Sequence, residues 1–208
     1  MKKVLLAGFA SLAGAASLCA ADVTSINAVG YANVAVPPGF SMVANPLSAA
    51  TSTVSALFAG APTGTQIFKY NGTTFDTAFH LGGGTWINGS LTLTPGEGVF
   101  VRNTTASSFN VTFVGEVLTG TLQNSIPAGF SIRSSQVPQS GAISTLLGLP
   151  VAAGDQIYIF NNAGNNYQTA FYLGGVWVPS EPTVQVGQSF WVFKSSPATW
   201  TRNFAINN

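Results

Sequence analysis

One stretch of this sequence is a recognisable copy of another. Pro38-Gly39-Phe40-Ser41 returns as Ala128-Gly129-Phe130-Ser131, and Gly64-Thr65-Gln66-Ile67-Phe68-Lys69-Tyr70-Asn71 returns as Gly154-Asp155-Gln156-Ile157-Tyr158-Ile159-Phe160-Asn161, both at an offset of 90. Thr77-Ala78-Phe79-His80-Leu81-Gly82-Gly83 reappears as Thr169-Ala170-Phe171-Tyr172-Leu173-Gly174-Gly175 at an offset of 92. Trp86 matches Trp177 and Gly96 matches Gly187 at an offset of 91. A duplicated sequence implies one structural unit used twice. The division expected is a first module over 22–113 and a second over 114–208, opened by Val29-Gly30 and Val114-Gly115.

Between the copies, glycines, aromatics and aliphatics persist while ionisable residues do not. Asp76 stands opposite Gln168, Glu97 opposite Gln188, His80 opposite Tyr172, and Thr65 opposite Asp155. What is kept is packing and turn chemistry. Phe109, Val111 and Phe113 alternate with Asn110 and Thr112, the period of a half-buried strand. Phe68 and Tyr70 alternate with Ile67 and Lys69 in the same way. Gly-rich breaks at Asn71-Gly72, Gly82-Gly83-Gly84, Gly174-Gly175 and Pro95-Gly96 separate such runs. Val54, Leu57 and Phe58 have helical spacing, with Ser52 as N-cap and Gly60 as stop. Ile143, Leu146 and Leu147 repeat that spacing between Ser140 and Gly148. The fold class expected is mainly β: two tandem sandwich or barrel-like modules of about 90 residues, each with one short helix.

Residues 1–21 read as a secretory signal peptide, with Lys2 and Lys3 before the apolar Val4–Leu18 run and small residues ahead of Asp22. Leu18 is too large to precede a lipid-modified Cys19, so ordinary cleavage near Ala21 is expected, giving a secreted or cell-surface protein. The one cysteine of the chain leaves with that segment, which removes disulfides and thiolate metal sites. Only 6% of the 208 residues are charged, and the formal net charge is +1. That excludes the clustered basic face needed for nucleic acid and disfavours polybasic membrane attachment. No later run reaches the length of a spanning helix, so no transmembrane segment is expected in the mature chain.

Three motifs carry a resemblance. The first copy has Gly39-Phe40-Ser41-Met42-Val43-Ala44-Asn45-Pro46-Leu47, then Phe68-Lys69-Tyr70-Asn71-Gly72, and closes on Pro95-Gly96-Glu97-Gly98-Val99-Phe100-Val101. The pattern resembles a largely uncharacterised family of secreted bacterial tandem β-repeat surface proteins. The second copy departs from it, with Ser135-Gln136 in place of Asn45-Pro46 and Val186-Gly187-Gln188-Ser189-Phe190-Trp191-Val192 as its close. The resemblance covers nearly the whole mature chain and implies extracellular β architecture with no catalytic residues to carry over.

Candidate chemistry is sparse. His80 is the only histidine and faces Tyr172 in the other copy, so a strand histidine is the plainer reading than a triad base. Asp76, Glu97, Glu116, Asp155 and Glu181 are scattered, and no metal-ligand spacing exists. Gly82-Gly83-Gly84 lacks the residues and context of a phosphate loop. We therefore expect no catalytic residue, no metal and no cofactor. The Asn-x-Ser/Thr triplets at Asn71, Asn88, Asn103 and Asn110 follow from composition. For carbohydrate binding, the candidate ring residues are Trp86, Trp177, Tyr167 and Tyr172, with amides for hydrogen bonds. Against this, 15 Phe and 4 Trp are the rings that two β cores require, and Trp200, alternating with Arg202 and Phe204, reads as core. Charge-free strands at Asn33-Val34-Ala35-Val36 and over Phe109–Phe113 invite self-association through their edges. The function expected is a secreted, non-catalytic structural or adhesive protein of the cell surface or matrix that self-assembles or holds a polysaccharide or surface component. A carbohydrate-binding module is the alternative.

Overall fold

The structure, a computed structural model, describes residues 28–206; the expected signal peptide and Cys19 lie outside the described residues. Apolar residues at every second position build β1 (Val29–Val36) and β7 (Phe109–Glu116), which pair antiparallel along their whole length, from Val29 opposite Glu116 to Val36 opposite Phe109. Five further strands follow: β2 (Gly39–Val43), β3 (Gln66–Tyr70), β4 (Phe75–Gly82), β5 (Thr85–Ile87) and β6 (Val99–Asn103). They form an antiparallel sheet in the order β2-β6-β3-β4-β5. The ribbon and one face of this sheet enclose a core of Val36, Ile67, Val99, Val101, Val111 and Phe113, to which α1 (Val54–Leu57) adds Val54. Phe58 meets Phe113 edge-on at 6.0 Å. Each such fully buried ring contributes roughly 1.5–3 kcal/mol.

The second half repeats the wiring. β8 (Gly120–Ile126) pairs with β16 (Ala198–Phe204). β9 (Gly129–Arg133), β11 (Gln156–Asn161), β12 (Asn166–Leu173), β13 (Val176–Val178) and β15 (Phe190–Lys194) form a sheet in the order β9-β15-β11-β12-β13. With corresponding strands substituted, this is the order of the first sheet. Its core holds Ile126, Ile157, Phe190, Val192 and the buried Trp200.

β7 runs through to Glu116, so Val114 and Gly115, expected to open the second module, lie in this strand opposite Tyr31 and Gly30. Two local expectations are corrected. Of the two short helices, one forms. In the second half Gly141–Ala142 is a strand (β10) paired with Thr183–Val184 (β14). Sheet pairing thus claims the residues before Ile143, and turns follow, with Ile143 and Leu147 still buried. The α1 N-cap is Thr53, one residue later than Ser52, whose carbonyl instead accepts from Leu93 N at 2.7 Å.

The halves meet through matched contacts. Ala44 N donates to Gly187 O at 2.8 Å, and its counterpart Ser134 N donates to Gly96 O at 3.1 Å. Val43 bridges Gln188, and Glu97 bridges Arg133. Such reciprocity is what an isologous contact produces. It requires glycine at both turns: Gly96 and Gly187 have φ of 97° and 74°. A Cβ on Gly187 would stand 2.3 Å from Val34 Cγ2.

Candidate functional site

Alternation puts one side chain of each strand pair into the core and the next on the opposite face. Ile67 is buried in the first core, and Phe68 and Tyr70 therefore point the other way, as do Phe40 and Phe100 on neighbouring strands. The second sheet does the same with Phe130, Tyr158, Phe160 and Trp191. The two aromatic faces touch where Phe100 meets Phe160 at 5.7 Å and Tyr70 meets Trp191 at 4.9 Å. Together with Met42 and Ile132, these rings form a third apolar cluster between the halves.

Each of these two ring pairs also lines a pocket, and Tyr167 lines both. One, of about 400 Å³, is walled by Tyr70, Phe130, Tyr158, Tyr167 and Trp191. The other, of about 390 Å³, is walled by Phe40, Phe68, Phe75, Phe100, Phe160, Asn165 and Tyr167. Under the sequence offsets the five rings of the first correspond to five of the six rings of the second: Phe40 with Phe130, Phe68 with Tyr158, Phe75 with Tyr167, Phe100 with Trp191, and Phe160 with Tyr70. Each pocket draws on the opposite half, the first for Tyr70 and the second for Phe160 and Tyr167. Three of the rings are well exposed, with Phe75 40%, Phe130 45% and Tyr167 44% open to solvent. Clustered exposed rings are a feature of interaction surfaces.

Of the four rings expected to contact a sugar, the structure brings only Tyr167 to these pockets. Trp86 packs on the first core and stacks on the buried His80 at 4.7 Å and 17°. Trp177 packs on the second core, beside Tyr172 at 5.3 Å, and donates Nε1 to Ser144 Oγ at 2.9 Å. Trp86 and Trp177 belong to two outer hairpins and face inward, so they do not form a shared platform. Trp200 is core, as its alternation indicates. Overlooked were Phe40, Phe68, Tyr70, Phe75, Phe100, Phe130, Tyr158, Phe160 and Trp191. Their signal was the ring at every second position in 68–70 and 158–160, retained in both copies.

Several ionisable groups are engaged in local structure. Glu97 accepts from Thr94 N and Oγ1 at 2.8 and 2.9 Å and pairs with Lys69 at 2.7 Å. Burial pushes its carboxyl up, but the Lys69 ammonium and the Thr94 donors outweigh this and hold it below the ordinary value. Burial likewise raises Glu181, and the hydroxyls and N–H groups of Ser144 and Thr145 bring it net lower. Asp155 is buried against Lys194. His80 Nδ1 lies 3.1 Å from Pro62 O. Among the described residues no group of His, Cys, Asp and Glu is placed to hold a metal ion, and no helix is long and apolar enough to cross a membrane. The edge strands expected to be bare are paired with each other, with Thr112 Oγ1 donating to Asn33 Oδ1 at 2.6 Å on the exposed side. Compared with protein-family models, curated proteins and solved structures, the chain matches none.

Proposed function

We propose that this chain is a secreted, non-catalytic structural or adhesive protein of the cell surface or extracellular matrix, built by duplication, whose working surface is the aromatic face shared by its two halves. The observation that carries the reading is the pair of open, ring-lined pockets formed where the two sheets meet. The engagement of Glu97, Glu181 and Asp155 in caps and ion pairs supports a role in holding rather than in transforming. A formal net charge of +1 leaves little repulsion between copies, which favours association.

Light scattering over a range of concentrations in physiological salt tests the reading. Concentration-dependent oligomers are expected, and they should disperse when Phe75→Ser is combined with Phe130→Ser. Association through strand edges, the second route, would instead be dispersed by Asn110→Lys with Thr112→Lys, both exposed positions of β7. A strict monomer at high concentration would count against a structural role.

A further inference from the structure

We propose that the pocket walled by Tyr70, Phe130, Tyr158, Tyr167 and Trp191 is a subsite for an uncharged sugar ring of an extracellular polysaccharide. This deepens the adhesive reading and rests on the aromatic face being a binding surface, though not on self-assembly. The comparison with the sister pocket carries it. At four of five corresponding positions a Phe of one pocket is a Tyr or Trp of the other: Phe68 is Tyr158, Phe75 is Tyr167, Phe100 is Trp191, and Phe160 is Tyr70. Each exchange keeps a ring and adds an O–H or N–H. If these rings only sealed the halves together, Phe would serve, as it does at those four positions of the sister pocket, which Tyr167 also lines.

Rings with a polar handle suit a partner that is apolar on one face and hydroxylated at its rim. A pyranose is such a partner: its C–H face lies on an aromatic face, and its hydroxyls reach the ring edges. Two of the handles are already oriented. Tyr70 donates its hydroxyl proton to Gly72 O at 2.7 Å, and Tyr158 donates to Gln156 Oε1. Both phenol oxygens therefore present lone pairs to an incoming donor. No charged side chain lines this pocket, so a sulfated or uronic-acid chain would find nothing to neutralise it. A volume of about 400 Å³ falls within the range of small-molecule sites.

The test is affinity electrophoresis of the folded chain through gels containing laminarin, hydroxyethylcellulose, xyloglucan or galactomannan. Retardation by at least one is expected. Tyr70→Phe with Tyr158→Phe, which removes both oriented hydroxyls and leaves the lining of the sister pocket unchanged, should weaken the apparent affinity about tenfold or more, two hydrogen bonds being lost. The converse variant, Phe68→Tyr with Phe75→Tyr, should strengthen retardation. Native-like circular dichroism and an unchanged oligomer distribution separate a lost sugar site from a lost fold. Failure of all four glycans to retard the native chain would overturn the proposal, as would retardation indifferent to the Tyr→Phe pair. In either case oligomers dispersed by Phe75→Ser with Phe130→Ser would leave the adhesive reading standing.

Discussion

In the first half the end of β6 is tied down by Asn103, buried, with its amide donating to Val36 O at 3.0 Å and Ser107 O at 2.8 Å. The corresponding place at the end of β15 holds Lys194, equally buried, which donates to Pro150 O at 2.8 Å and pairs with Asp155. Asp155 in turn stands where the first half has Thr65. The Thr65 hydroxyl donates to Pro62 O at 2.8 Å, whereas the Asp155 carboxylate accepts from Ala152 N at 2.7 Å, so the same turn is fastened with the polarity reversed. Both members of the pair changed together, from neutral to oppositely charged, on an unchanged strand order. The strand order is thus common to both halves, while the polar anchors at these places differ as a set.

The largest effect expected breaks one such set. Lys194→Met leaves the Asp155 carboxylate buried without its cation and should cost about 3–5 kcal/mol in urea unfolding. Asp155→Thr combined with Lys194→Asn installs the first half's pair and should recover most of that loss. A single variant as stable as the native chain, or a double variant worse than the single, would show that the two anchors are not equivalent devices.

How far the sequence reveals this molecule depends on which interaction decides each element. Phe109, Val111 and Phe113 alternate with polar residues and form the strand they predict, because one face meets a core and the other meets water. Periodicity did not reveal the outer aromatic face: alternation shows that Phe68 and Tyr70 share a side, but not that the second sheet stands against it. Ile143, Leu146 and Leu147 have the helical spacing of Val54, Leu57 and Phe58, yet pairing of β10 with β14 and the Glu181 cap on Ser144 and Thr145 override it. The pocket rings were legible as substitutions between copies, Phe75 to Tyr167 among them. Attention to charge alone passed over them, since the exchange adds a hydroxyl and no charge.

A smaller effect separates the two inward tryptophans. The Trp177 indole donates to Ser144, which itself donates to Glu181 Oε1 at 2.5 Å, so the ring is held by a short polar relay. Among the described residues the buried Trp86 Nε1 has no partner. Replacing either by Phe loses similar ring area, but only Trp177→Phe also loses a hydrogen bond. It should therefore cost about 1 kcal/mol more than Trp86→Phe. Equal thermal-unfolding penalties for the two would mean that the relay adds nothing to the second half.

The smallest expected effect is a pH dependence, and it tests whether Glu97 and Gln188 do the same work. Gln188 Oε1 accepts from Gln185 N at 2.9 Å, as Glu97 accepts from Thr94 N in the first half. Capping the turn thus needs only an oxygen, and the carboxylate adds the pair with Lys69. Because the Glu97 carboxyl is held below its ordinary value of 4.5 in the folded chain, its stabilisation is present above that value and fades as the pH falls through the lowered one. Glu97→Gln should leave stability near pH 7 within about 1 kcal/mol of native, the ion pair being partly solvated, and should flatten the decline below pH 4.5. Glu181→Gln should flatten it too but start from a less stable chain. Its two carboxylate oxygens accept from both N–H groups and both hydroxyls of Ser144 and Thr145, and an amide offers one oxygen for those donors. Unfolding midpoints measured from pH 7 to pH 3 decide it: a Glu97→Gln chain with the native acid slope would mean that the first half gains nothing from its charge.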